Sequence, residues 1–270
     1  MSAVPLLTVE KLEVVYHRAI TAIQGISLQV LPGQIVSILG TNGAGKTTTL
    51  RAISGFLGLD DARVTEGAVT FKGKRIENRA PHQITSLGIV LVPERDKVFP
   101  NLTVAENLSA AVSRRVSTTE RKRFEALVFQ YFPRLGDLQS REAGLLSGGE
   151  RQMLAIGGAL VCAPELLLVD ELSLGLSPVA VEDLMQRVVE IRRELGISII
   201  LVEQNAVVAL EVADYGYVLE NGRVVLDGDS ARLSNHQDIR EFYLGQAGAG
   251  GERRSYRTIK QYRRSRRWYG

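Results

Sequence analysis

Ile35-Val-Ser-Ile-Leu-Gly-Thr-Asn-Gly-Ala-Gly-Lys-Thr-Thr-Thr-Leu50 is an apolar run, then a glycine-rich loop, then the opening of a helix. The loop, Gly40, Thr41, Asn42, Gly43, Ala44, Gly45, Lys46 and Thr47, matches G-x-x-x-x-G-K-[ST]. Glycines at 40, 43 and 45 let a backbone wrap closely around a bulky anion and take positive φ where needed. The loop N–H groups and the helix N-terminus then point at phosphates. Lys46 adds a point charge, and the Thr47 hydroxyl is a hard oxygen suited to Mg²⁺. The pattern points to a nucleoside triphosphate and says nothing of how its energy is used.

Outward from that loop, composition sets limits. A chain of 270 residues, 45% of them hydrophobic, holds one large domain or two small ones and can bury a substantial core. The single cysteine, Cys162, excludes an internal disulfide framework and fits a reducing compartment. His17, His82 and His236 are in no metal-ligand spacing. No apolar run is long enough to span a bilayer, and Met1 to Lys11 lacks the pattern of a signal peptide. The expectation is a soluble cytoplasmic protein that meets membranes through a partner or a surface. The net charge of +3 divides unevenly: residues 251–270 carry +7, and the preceding 250 residues carry −4.

Residues 6–15 and 25–31 alternate like strands, with Pro32-Gly33 as a turn ahead of the buried run 35–39. Residues 67–71 and 88–92 read as further strands, and Pro81 opens a helix over 81–87. Residues 93–100 form a proline-bounded polar loop. From Thr103 to about Gln130 the pattern is helical, with Thr103 and Glu106 in capping-box spacing and a second, charged helix from Glu120 to Phe132. Another helix runs from Gln152 to Val161. Leu166–Val169 is a buried strand closed by Asp170 and Glu171. A helix from Pro178 to about Leu195, a strand over 197–202 and a helix over 205–212 follow. Residues 215–226 read as a hairpin turning at Asn221-Gly222.

Three stretches now stand in one order: Gly40–Thr47, Leu146-Ser-Gly-Gly-Glu150 and Leu166–Glu171. Together they resemble the Walker A, signature and Walker B motifs of the ATP-binding-cassette (ABC) ATPases, over residues 5–245. Val92-Pro-Glu94, Phe99–Asn107, Ser173–Pro178, Leu201–Asn205 and Gly216–Gly222 resemble the LivF type, the ATPases of branched-chain amino-acid importers. The resemblance implies an α/β P-loop (RecA-like) core with an antiparallel β subdomain and a helical subdomain, about residues 93–160, inserted in it.

It also implies roles. Gly40 to Thr47 with Thr48 would bind ATP, and Tyr16, which on its own reads as an ordinary edge aromatic, would stack on adenine. Thr47 and Asp170 would hold Mg²⁺, with Glu94 reaching the ion or its waters. Glu171 would orient the attacking water, and Lys46 and Gln204 would act on the γ-phosphate. Ser147, Gly148, Gly149 and Glu150 would face the ATP held by a second ABC ATPase subunit. Glu94 and Gln204 stand where most of the family carries glutamine and histidine, a substitution usual in the LivF type. Leu172 and Ser177 replace the usual proline and aspartate.

The expected function is ATP hydrolysis powering import of branched-chain amino acids or related solutes. The implied setting is the cytoplasmic face of the cell membrane, on two transmembrane permease subunits served by a solute-binding protein. Two alternatives are a soluble ABC ATPase acting on ribosomes or DNA, and a nucleotide-sensing subunit with weak hydrolysis. Residues 246–270 form a basic tail carrying Tyr256, Tyr262, Trp268 and Tyr269. A solvated tail is its plainest reading, contact with anionic lipid the second and nucleic acid the last.

Overall fold

In the computed structural model, residues 4–94, 97–111, 116–236 and 239 are described. The basic tail and residues 112–115 of the stretch read as helical from Thr103 lie outside them.

An antiparallel sheet is built by β1 (Leu7–Tyr16), β2 (Ile20–Val30), β4 (Ala62–Phe71) and β5 (Lys74–Arg75), in the order β2-β1-β4-β5. β2 and β4 begin earlier than their apolar alternation predicts, because their first residues pair with the end of β1: Tyr16 lies opposite both Ile20 and Ala62. Ile20 is 61% exposed, so burial leaves no mark on the sequence there.

The second sheet holds β3 (Ile35–Leu39), β6 (Ile89–Val92), β7 (Leu166–Asp170), β8 (Ser198–Glu203), β9 (Tyr215–Glu220) and β10 (Arg223–Asp229). Its order is β10-β9-β3-β8-β7-β6, parallel throughout except for the β9–β10 hairpin. Both faces are covered, which is why these strands read as continuous apolar runs. Ile35, Leu39, Leu167, Val169, Ile199 and Leu201 pack in the core cluster that includes the helices. Val36, Ile38, Leu166, Leu168, Ile200 and Val202 pack in the cluster shared with the antiparallel sheet. The period of two sends alternate residues of one strand into two cores.

α1 (Lys46–Ser54) follows β3, and α2 (Pro81–Ser86) precedes β6. Between the neighbouring strands β6 and β7 lie α3 (Val104–Ala110), α4 (Thr118–Tyr131), α5 (Pro133–Asp137) and α6 (Gly148–Leu160). Thr103 caps α3 with Glu106 in the expected box. The second helix, read from Glu120 to Phe132, is α4, and it starts two residues earlier because Ser117 and Glu120 form a second box. α7 (Pro178–Leu195) crosses to β8, and α8 (Ala206–Val212) and α9 (Ser230–Ser234) complete the described helices.

Candidate functional site

The C-terminal ends of β3, β7 and β8 meet at one edge of the parallel sheet, where open α/β folds bind ligands. A cleft of about 550 Å³ opens there. Its walls include Asn42, Gly43, Gly45, Lys46, Thr47 and Thr48 from the glycine-rich loop, with Glu94, Glu171 and Gln204 opposite. Residues far apart in sequence that were assigned to one site are thus brought together.

Gly45 marks the start of α1 with φ 104° and no side-chain cap. A Cβ there would be strained by the dihedral and would lie 2.7 Å from Ile23 Cδ1, so that side-chain tip would have to move. The β9–β10 turn braces the loop from outside: Gly222 N–H donates to the Ala44 carbonyl at 3.0 Å. At Gly222 a Cβ would come within 2.3 Å of the Ala22 carbonyl oxygen. The Asn-Gly turn was legible as a hairpin, but not as a brace for the phosphate loop.

Lys46 is 5% exposed. Its ammonium donates to the Gly40 and Thr41 carbonyls at 2.9 and 3.3 Å and lies 3.5 Å from Glu171 Oε1. Thr47 Oγ1 donates to Asp170 Oδ1 at 3.3 Å. Burial pushes the Asp170 carboxyl up to about 6, with Glu171 and Glu94 adding to the rise against the Thr47 hydrogen bond and Lys46. Among the described residues no three His, Cys, Asp or Glu side chains form a metal cage. One buried carboxylate beside a threonine hydroxyl, with further carboxylates across the cleft, still fits Mg²⁺, which uses one or two carboxylates together with phosphates and water.

Gly40, Thr41 and Ala44 belong to the same loop, although they do not line the cleft. Tyr16 is likewise absent from the lining. It ends β1, with its hydroxyl 3.3 Å from Thr48 Oγ1. Ser147, Gly148, Gly149 and Glu150 stand away from this cleft, at the start of α6. Ser147 caps α6, its N–H donating to Glu150 Oε2 at 2.8 Å, and Arg134 donates to Glu150 Oε1 at 3.0 Å.

Two departures from the family pattern gain a physical account. Ser177 is the N-cap of α7, accepting from the Ala180 N–H at 3.4 Å. Leu172 is fully buried, and its N–H donates to Glu203 Oε1 at 2.8 Å, a bond proline lacks the hydrogen to make.

Glu203 itself was missed. It is fully buried and accepts from Leu172 N–H, from Ser173 N–H at 3.1 Å and from Ser173 Oγ at 2.5 Å. A charged residue ending an otherwise apolar strand, Ile199 to Val202, was the available signal. Lys97 was also passed over. Burial pulls its ammonium down to about 8, against the pull of Asp170, Glu94, Glu203 and Glu171.

The family model described as ABC transporter matches residues 23–173. A high-affinity branched-chain amino acid transport ATP-binding protein of Pseudomonas aeruginosa, BraG, is 39% identical over 85% of this chain and 96% of its own length. A probable branched-chain amino acid transport ATP-binding protein of Archaeoglobus fulgidus, LivF, is 38% identical over 82% of this chain and 91% of its own. Among solved structures, the ADP conformation of an ATP-binding cassette of an ABC transporter superposes with a TM-score of 0.77 at 27% identity. That match covers 90% of this chain and all of the other.

Proposed function

We propose that this chain, which belongs to the ABC transporter family and is one of its ATPase subunits, powers the import of branched-chain amino acids or closely related solutes. The observation that carries the substrate class is the likeness to BraG along almost the whole of that relative. The names of the similar transport proteins favour import over the ribosome- or DNA-acting alternative.

In this reading the glycine-rich loop, from Gly40 to Thr48, grips the triphosphate and Lys46 leaves its own loop carbonyls for the β- and γ-phosphates. Tyr16 stacks on the adenine. Mg²⁺ would be held by Thr47 and Asp170, with Glu94 at its waters, and would neutralise charge building between the phosphates. Glu171 orients the attacking water. Gln204 hydrogen-bonds the γ-phosphate without becoming cationic. Ser147, Gly148, Gly149 and Glu150 face the nucleotide of a second ABC ATPase subunit, so that hydrolysis waits on closure of the pair. Residues 5–245 form the ATPase domain, with 93–160 as the helical insert that docks a membrane subunit. No described helix is long and apolar enough to cross a membrane. Attachment at the cytoplasmic face therefore falls to two permease subunits, helped by the tail if that segment meets anionic lipid.

The test is to purify the full chain with its permeases from mildly solubilised membranes and reconstitute the complex with its solute-binding protein in vesicles. ATP-driven accumulation of labelled leucine, lost in Glu171→Gln, is the expected result. Accumulation of urea or an amide in place of leucine would move the substrate, and co-purification of ribosomes without permeases would overturn the import reading.

A further inference from the structure

Glu171 is held at φ 49°, a left-handed conformation that a non-glycine residue keeps only where its surroundings fix it. Its N–H donates to the Val202 carbonyl at 2.9 Å. The next residue is gripped at both backbone ends. Leu172 N–H donates to Glu203 Oε1 at 2.8 Å, and the Leu172 carbonyl accepts from Gln152 Nε2 at 2.8 Å. Gln152 Oε1 in turn accepts from Lys97 Nζ at 2.6 Å.

Glu203 and Gln152 are 0% and 5% exposed, and neither lines the nucleotide cleft. A buried carboxylate and a buried carboxamide are costly unless their polar atoms are engaged. Here they are engaged on the turn that leaves Glu171. The three side chains come from different places: Lys97 from the 93–100 loop, Gln152 from α6, and Glu203 from the end of β8, one residue before Gln204. Lys97 is thereby linked through Gln152 to the Leu172 carbonyl, on the peptide that follows Leu172.

We propose that Lys97, Gln152 and Glu203 are positioning residues, a hydrogen-bond relay through Leu172, buried at Gln152 and Glu203, by which the position of Lys97 sets the orientation of the Glu171 carboxylate. The inference rests on the reading of Glu171 as the water-orienting group. It also gives the leucine at 172 a purpose, since proline at that place would leave Glu203 without its shortest backbone donor.

The test uses the full chain in its purified complex and measures the kcat and KM of ATP hydrolysis beside the Kd of a fluorescent ATP analogue. Gln152→Leu, close in size, cuts both halves of the central link. It is expected to lower kcat by about 100-fold, as small misplacements of a reacting group do, with Kd unchanged. Lys97→Met lowers kcat less, and adding it to Gln152→Leu costs nothing further, because the two act in series. Glu203→Leu lowers kcat, whereas Glu203→Gln restores most of it. The glutamine oxygen can accept both N–H groups, and its amide can donate to Ser173 Oγ.

Wild-type kcat in Gln152→Leu would overturn the relay, as would a Kd that rises as far as kcat falls, or a Glu203→Gln variant as damaged as Glu203→Leu. Should Glu203→Leu fail to fold, Gln152→Leu, Lys97→Met and Leu172→Pro carry the test, each expected to lower kcat at constant Kd. Glu171→Gln runs beside them. If it hydrolyses ATP normally, the role of Glu171 falls and the relay with it. If it is inactive while Gln152→Leu is normal, the relay alone fails.

Discussion

At the scale of single residues, Glu150 shows how a short polar device fixes the start of α6. Its carboxylate accepts from Ser147 N–H and from Arg134, and its own N–H donates back to Ser147 Oγ at 3.3 Å. The Ser147 N–H is the largest cause holding this carboxyl below its ordinary value of 4.5, with burial opposing it and Arg134 helping. A carboxyl depressed on folding adds stability above its unfolded pKa, and that stability is lost as pH falls through the lower folded value. At pH 7, Glu150→Gln is therefore expected to be less stable than wild type by up to about 1 kcal/mol, a cap-sized effect. Urea melts at pH 7 and pH 3 check this: the gap should close in acid, and a gap of equal size at pH 3 would deny the carboxylate charge any part. Legibility at this scale was uneven. The cleft residues from Asn42 to Thr48 follow from one motif whose spacing has a single geometric use. Lys97 acts only through contacts made by the folded chain and no local pattern announces it, whereas Glu203 left one local sign, a charge ending an apolar strand.

At the scale of elements, the same capping spacing was read once and overlooked once. Thr103-x-x-Glu106 starts α3 as expected, while Ser117-x-x-Glu120 starts α4 two residues ahead of the second helix read from Glu120. α5 and α9, five residues each, are too short for helical periodicity to register. One tie between two helices, α4 and α7, is a side-chain pair. Tyr131, at the end of α4 and 2% exposed, donates its hydroxyl to Glu194 Oε2 near the end of α7 at 2.8 Å. Burial, then Glu194, pushes that phenol well above its usual range, so it stays a donor at any working pH. Tyr131→Phe is expected to cost about 1 kcal/mol of stability, the worth of one such hydrogen bond, with KM for ATP unchanged. Chemical denaturation read beside steady-state kinetics separates the two effects. A change in KM would mean that this tie reaches the nucleotide cleft.

For the whole molecule, both packing units border the cleft. Ala44 and Val202 pack with the antiparallel layer, whereas Leu172 and Val169 pack with the helices. A ligand that bridges the cleft bonds both units at once, and binding to the folded state alone adds RT ln(1 + [L]/Kd) to stability. At 100 times Kd that is about 2.7 kcal/mol. At about 2–4 °C per kcal/mol, ATP with Mg²⁺ should raise Tm by roughly 5–10 °C. Lys46→Ala removes the one buried cation of the loop and should abolish most of the shift. Glu171→Gln should keep it, because that carboxylate is assigned to turnover and not to grip. Chelating the metal while leaving ATP present should shrink the shift, since Thr47 and Asp170 would then meet the phosphates without a cation between them. Thermal melts of the full chain under these conditions decide where the nucleotide sits: a Lys46→Ala protein that keeps the full shift would place ATP outside the cleft, whatever its sequence motif.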